Sequence, residues 1–528
     1  MTKKILFFLL PFLIVSCSNE ALDKKELLSE EQNSLINSYI EEKNRLNESV
    51  KLKEKFGTNL KGLKLVSVDL SNEDLSDIDF GESELIRVKF NNANLDKVNL
   101  SKAVVQESNF VNNQFKDINL SGVDFQASLF DNVIFENVIF ERSNMEETEI
   151  RNSKIINSQL TGTKFAKAII EKSFMDNLYL QKADLVGGKV KNSTISNSIF
   201  FGCDLREMSF VNNMLTSCNF ESSDLSGLSS VGGTFNKVSF DESILDNSKF
   251  VNDKFKTNVF SNNSIKRSII EGVFLGDSTV TDCFLNGSVL TGNQIRGTLI
   301  KNINSNAVEV KKISIENTEI INGEFNKTSI DALNISNSVL TDSVFSNEKS
   351  NKWSLDQVAF NNNIFKNYQL QDFAFNKQNF NRNTFKDSLL YNVNFTLSTL
   401  SSSSFIDCNF KTVVFNNAKI LNSLYQNVVS VGLIRINTPI SKTLLISNKG
   451  LQPMENNAQI LNSINQLLET KDLSNMNLSF IDLSGRIMEN IDFSNSILIY
   501  SNFEGATCRN CSFENAKLIE ANLTNANL

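Results

Sequence analysis

Between residues 60 and 425 an apolar side chain returns at every fifth position. The series opens Leu60, Leu65, Leu70, Leu75, Phe80 and closes Phe405, Phe410, Phe415, Ile420, Tyr425. Of the 74 positions in this register 71 are apolar; the exceptions are Ser230, Ser305 and Ser350. A period of five matches neither an amphipathic helix nor an alternating strand. Sustained over so many copies, it predicts a solenoid, in which each repeat buries its apolar residue only by stacking on its neighbours.

A second register supports the first. Two residues before each centre stands a small or modest side chain: Ala93, Val98, Ala103 and Ser108 before Leu95, Leu100, Val105 and Phe110. The positions between are polar, often Asn, Asp, Ser or Lys. The stretches SNEDLSDIDF (71–80), NNANLDKVNL (91–100) and NAKLIEANLTNANL (515–528) resemble pentapeptide repeat proteins, whose motif is A(D/N)LXX. The resemblance covers about four fifths of the chain and is specific through repetition. It implies an all-β fold, a right-handed quadrilateral parallel β-helix with short flanking α-helices. Each repeat then forms one side and four repeats one coil, with the centre and the small residue pointing inward. Stacked coils lie about 4.8 Å apart. Columns at spacing twenty follow, such as Phe200, Phe220, Phe240 and Phe260, or Phe325 through Phe405.

The ends are read from their own periodicities. Ser29-Glu30-Glu31-Gln32 has the form of a capping box. Leu35, Ile36, Tyr39, Ile40, Leu46 and Val50 recur at helical spacing, and Phe56-Gly57 supplies the stop. The expectation is one helix over about 29–55 that covers the first coil, since a bare coil exposes strand edges. Beyond Tyr425 the register fades, with one worn coil running to about 448. Residues 454–470 read as a helix, with Ile460, Ile464, Leu467 and Leu468 on one face. The repeat then resumes in a new phase, from Leu473 and Leu478 to Leu523 and Leu528. The expected organisation is a signal segment 1–16, a tether and capping helix 17–57, a main solenoid 58–448, a linker and helix 449–470, and a second solenoid 471–528. An open last coil around Leu523 and Leu528 would pair with a copy of itself or dock on the main rod.

Three stretches disturb the pattern: GLSSVGGTF (227–235), KNINSNAVEV (301–310) and SNEKSNKWSL (346–355). Each keeps the five-residue phase afterwards, so each is expected to bulge outward without adding residues. The third places the only tryptophan, Trp353, where a small residue belongs. Its ring is expected on the coil surface, either within a tolerated bulge or as a surface-binding side chain, because loops on rigid scaffolds often carry binding.

Charge and leader change the picture of where such a rod would work. The 52 basic and 60 acidic residues give a net charge of −8. Loss of Lys3 and Lys4 with a leader would make it −10. Spread over the chain this is mild, and no basic stripe suggests nucleic acid. Lys3-Lys4, the apolar run Ile5 to Val15 and then Ile14-Val15-Ser16-Cys17 resemble a bacterial lipoprotein signal, the run being too short to span a bilayer. The resemblance implies cleavage before Cys17, lipid on its sulfur and firm anchoring by more than one acyl chain. Ser18, where retention signals carry Asp, favours the outer membrane.

Candidate chemistry is sparse. The chain has no histidine, which excludes Ser-His-Asp and Cys-His catalysis and histidine metal sites. Cys203, Cys218, Cys283, Cys408 and Cys511 fall on small positions and Cys508 on a centre. The register explains them as packing residues, the CxxC spacing of Cys508 and Cys511 included. Carboxylates are scattered over solvent-facing positions, and no phosphate-cradling loop is present. The expectation is a non-enzymatic protein without cofactor or metal: a membrane-anchored structural or protein-interaction scaffold of the bacterial envelope. Two alternatives stand beside it. One is a ligand- or glycan-binding surface adhesin using Trp353; the other is a cytoplasmic DNA mimic like those pentapeptide repeat proteins that protect gyrase.

Overall fold

A computed structural model describes residues 27–528 except 348, 352, 434, 436, 437, 439, 442, 447, 449–457, 462 and 463. The signal segment, Cys17 and most of the tether therefore lie outside the described residues. The chain is an all-β parallel solenoid of about 21 turns with few helices. From Lys64, paired with Glu84, to Leu424, paired with Leu444, the strands pair in parallel at a spacing of 20 residues. Four five-residue sides therefore make one coil. Two adjacent sides form a 28-stranded sheet, and the other two condense into sheets of 11 and 9 strands in the later coils.

Local chemistry explains the corners. The residue two after each centre takes a left-handed conformation, as at Asn92, Asn112 and Asn132, with φ of 55°, 59° and 55°. Asparagine adopts this region more readily than most side chains, which accounts for the asparagines between the centres. Their amides also form ladders: Asn112 Nδ2 donates to Asn92 Oδ1 at 2.8 Å and Asn132 Nδ2 to Asn112 Oδ1 at 2.7 Å. Inside, the expected phenylalanine columns are present. Phe200, Phe220, Phe240 and Phe260 stack at 4.5, 5.2 and 5.0 Å. Phe325 to Phe405 stack at 4.7–5.0 Å.

The N-terminal cap is two helices rather than one. α1 (Glu30–Leu46) starts at the Ser29/Gln32 capping box and ends at Asn47 in the left-handed region; α2 (Leu52–Phe56) follows. The break has a cause in the first coil. Glu73 accepts from Ser49 Oγ, Val50 N and Lys51 N at 2.8, 2.6 and 2.7 Å, pulling 49–51 out of helical bonding. Ile36, Ile40, Val50 and Leu52 enter the core, whereas Leu35 and Leu46 are exposed. The open strand edge is satisfied by side chains: Lys64 N donates to Asn33 Oδ1 at 2.7 Å, and Asn37 Nδ2 donates to Lys64 O at 2.7 Å.

The three serine centres do not bulge. Ser230 pairs in register with Phe210 and Phe250, Ser305 with Phe325, and Ser350 with Ile330 and Leu370. All three are buried. At two of them a large group occupies a neighbouring small position and the centre shrinks to make room. Asp253 stands beside Ser230 and Gly233, where a Cβ on Gly233 would sit 3.1 Å from Asp253 Oδ1 and 3.0 Å from Phe235. Tyr368 shares a hydrogen bond with Ser350. Trp353 likewise points inward, 4% exposed, with its ring 5.1 Å from Phe373. The expectation of a surface tryptophan is thus corrected.

At the far end, Ile440–Ser441 and Thr443–Ile446 continue the solenoid. Instead of a helix from 454, Ala458–Leu461 is a strand paired with Thr443–Ile446 at a spacing of 15, and α3 (Ile464–Glu469) is short. Strand pairing covers an edge that a helix would leave unbonded. A second solenoid follows, with bridges such as Asp472–Asp492 and Asp492–Ser512.

The core is filled unevenly. Between the phenylalanine-rich coils lies an apolar cavity of about 220 Å³. Left empty, it costs on the order of 5 kcal/mol at about 24 cal/mol per Å³.

Candidate functional site

The second solenoid does not stack end to end on the first. It lies along one side of it, running the opposite way. Ser402 Oγ donates to Asn475 O at 2.7 Å. Asn477 Nδ2 donates to Thr384 Oγ1 at 2.8 Å and to the carbonyls of Arg382 and Asn383 at 3.2 Å. Lys366 lies 5.6 Å over the ring of Phe480. Ile364 packs with Ile497 and Ile499, with Val344 and Phe480 beside them. As the number rises from 475 to 499 in one rod, it falls from 402 to 344 in the other. This is an antiparallel, side-by-side dock.

The sequence marks the dock in outward positions, not in the core. On this side the residues just before the centres are Val344, Ile364, Thr384, Ser404 and Leu424, apolar or small where polar ones are usual. Thr384, Ser404 and Leu424 are buried, and so is the outward Ile406. On the opposing rod Asn477, Ser479 and Ile497 are equally buried. Asn477 Oδ1 holds its own turn by accepting from Ser479 N, which leaves its amide N–H groups for the partner rod. The periodicity used to find the solenoids weighs only inward positions and passes over this signal. Leu523 and Leu528, in the last coil, take no part in the dock and remain 42% and 44% exposed.

Reactive groups are held inert. Burial pushes the thiols of Cys218 and Cys283 up to about 11 and those of Cys203 and Cys408 up to about 12. A thiol so protonated is no nucleophile. Cys508 and Cys511 are joined in a disulfide, so the packing reading of this pair is corrected. The register brings a centre and the next small position to a Cα–Cα distance of 5.7 Å, within bridging reach. Trp353, buried, is not available to a ligand on the surface. Among the described residues no cluster of acidic or cysteine side chains has the form of a metal site, and no helix is long and apolar enough to cross a membrane. Ion pairs link neighbouring coils on the surface, as Arg87–Glu107 and Arg509–Glu489 do at 3.6 and 3.2 Å. At such exposure each contributes little.

With this geometry in place, the fold class is a parallel β-solenoid with a docked second solenoid. The family model for pentapeptide repeats matches residues 74–112, 118–155, 477–507 and 501–528 in 8 copies, so these stretches, in both solenoids, are similar to pentapeptide repeats. No curated protein matches the sequence. Among solved structures, the plasmid-mediated fluoroquinolone resistance protein QnrB1 is similar at 13% identity and a TM-score of 0.26, over 38% of this chain and 92% of that one. HetL of the cyanobacterium Nostoc, involved in heterocyst differentiation regulation, is similar at 14% identity and a TM-score of 0.18, over 45% and 88%. PfbA, a surface adhesin of Streptococcus pneumoniae, is similar at 11% identity and a TM-score of 0.18, over 56% and 83%. None of these likenesses carries a function to this chain.

Proposed function

We propose that the protein is a lipid-anchored, non-enzymatic scaffold of the bacterial envelope that offers the sides of its rod to a protein partner. The observation that carries the reading is the dock itself. A side of the main rod already receives a protein surface, through Asn477 reaching main-chain carbonyls and a small apolar cluster around Ile364. A rigid rod whose sides differ only in outward residues suits recognition by partners of matching periodicity. Anchoring rests on the lipoprotein-like segment ending at Cys17. The Cys508–Cys511 disulfide agrees with an oxidising compartment, where such bonds persist.

The test is crosslinking and pull-down of the full chain from intact cells, with fractionation and labelled palmitate run in parallel. The expected result is palmitate on wild type but not on Cys17→Ser, an envelope fraction, and a discrete crosslinked protein. A cytoplasmic protein without palmitate would overturn the anchored reading. The absence of any crosslinked protein would overturn the scaffold reading.

A further inference from the structure

We propose that the cavity in the middle of the main solenoid is a binding site for a linear, uncharged hydrocarbon. Two phenylalanine columns are interrupted at the same level. On one side Phe240 and Phe260 are followed by Val280, Ile300, Ile320 and Leu340 before Phe360 resumes the stack. On another, Phe255 gives way to Leu275, Ile295, Ile315, Ile335 and Leu355 until Phe375. The smaller side chains leave a space of about 220 Å³ along the axis, and its whole exposed wall is apolar. Centres that are buried elsewhere, such as Ile270, Leu290 and Ile300, are partly accessible here from within.

Composition alone does not produce such a space. The coils around 155–210 are also largely aliphatic, yet their cavity is only about 20 Å³, because Met175, Leu178 and Met208 fill the axis. The chain thus leaves open in one place what it closes in another.

Shape and wall chemistry define the ligand. The partly accessible centres run from Ile270 to Phe325, roughly three coils or about 15 Å. The space is therefore long and narrow. Asn293 reaches the wall, but its amide is engaged, donating to Ile270 O at 2.9 Å and accepting from Val273 N at 2.8 Å. No group is left to hold a water or a carboxylate, so the cavity takes neither. A sealed apolar cavity of about 150 Å³ in another protein stays dry and still admits benzene through thermal opening. The larger, elongated one here fits an unbranched alkyl chain without a charged end, its lining running from Leu245 and Phe250 to Phe345 and Trp353.

The test uses the purified full chain. Hexane and octane are added below their solubility limits, with hexanoate as the charged control, and thermal unfolding is recorded. Binding to the folded state alone raises the melting temperature with the logarithm of ligand concentration. The expected result is such a rise with octane larger than with hexane, and none with hexanoate. Ile300→Phe and Ile295→Phe, which carry the aromatic columns through the gap, should raise the melting temperature without ligand and abolish the octane response. A xenon-pressurised crystal of the wild type locates the site independently of whether these variants fold, with density expected between Ile270 and Phe325. No alkane response and no xenon there would overturn the proposal, and so would an equal octane response in a folded Ile300→Phe protein. A hexanoate response equal to that of hexane would overturn the claim that the ligand is uncharged.

Discussion

Replacing Asp253 by asparagine should stabilise the protein at neutral pH. Asp253 is fully buried; its Oδ1 accepts from Gly233 N at 2.6 Å, and its Oδ2 has no hydrogen-bond partner. Burial pushes this carboxyl from 3.8 up to about 6, and the Gly233 N–H, the Ser230 hydroxyl and the Val251 main chain only partly oppose the shift. The folded state therefore holds the proton more tightly than the unfolded chain. The stability linked to it is fully present below about pH 4 and is lost as the pH rises towards 6. A rise from 3.8 to about 6 corresponds to roughly 3 kcal/mol. Asparagine avoids this loss because the fold already has a place for it. At equivalent small positions Asn258 and Asn263 accept from the N–H 20 residues back and donate to the carbonyl 23 back: Val238 N and Phe235 O for Asn258, Ser243 N and Phe240 O for Asn263. At 253 the same geometry joins Gly233 N and Ser230 O. Urea unfolding of wild type and Asp253→Asn at pH 4 and pH 7, followed by circular dichroism, should show near equality at the lower pH and a gain of about 3 kcal/mol at the higher. Because solenoids can open coil by coil, hydrogen exchange of amides 230–255 should show the same contrast. An Asp253→Asn protein no more stable than wild type at pH 7, or one whose stability falls in parallel with wild type between pH 4 and 6, would refute the reasoning.

Other consequences can be checked with single variants. Phe365→Asp, in the middle of a stacked column, should cost at least several kcal/mol through lost packing and an unpaired buried charge, whereas Lys256→Gln on the surface should stay within about 0.5 kcal/mol in the same melts. Lys366, beside Phe365, is no neutral control, since it lies over Phe480 at the dock. Maleimide should leave Cys203, Cys218, Cys283 and Cys408 unmodified in the native protein and label all four after denaturation, as counted by mass spectrometry. Asn477→Ala leaves Thr384 Oγ1 and two carbonyls without this donor. It should raise the proteolytic sensitivity of the junction before 472 without lowering the melting temperature of the main rod.

The solenoid was legible because its cause is inward and periodic. Each centre must be apolar to fill the axis, so the register from Leu60 to Tyr425 states the coil directly. The exceptions were harder, since they are pairwise. Ser230 looks like a defect until Asp253, 23 residues on, is seen to occupy the space it vacates, and Ser350 until Tyr368 is placed opposite. A pattern weighing one position at a time reads both as bulges and puts Trp353 outside. The helix break at Asn47 depends on Glu73, more than twenty residues away. The Cys508–Cys511 spacing was visible, but the register explained both residues without a bond.

The dock shows where recognition resides in a fold of this kind. All four sides repeat the same inward plan, so the core cannot tell one side from another. The difference lies in the outward residues beside the centres, which the coil leaves free to vary. Along most of the rod these are polar or charged and interact with their counterparts one coil away, as Lys64 and Glu84 do at 3.3 Å. On the side from Val344 to Leu424 they turn small or apolar over five successive coils, and that is the side the second solenoid covers. Parallel stacking at one fixed spacing also makes the two rods commensurate. Asn477 and Ile497, one coil apart, meet Thr384 and Ile364, also one coil apart. A contact that fits at one level is therefore repeated at the next, and an antiparallel approach lets each rod keep its own register. Specificity then depends on a short run of outward residues rather than on a shaped cleft. Moving that run to another side of the rod should move the dock with it.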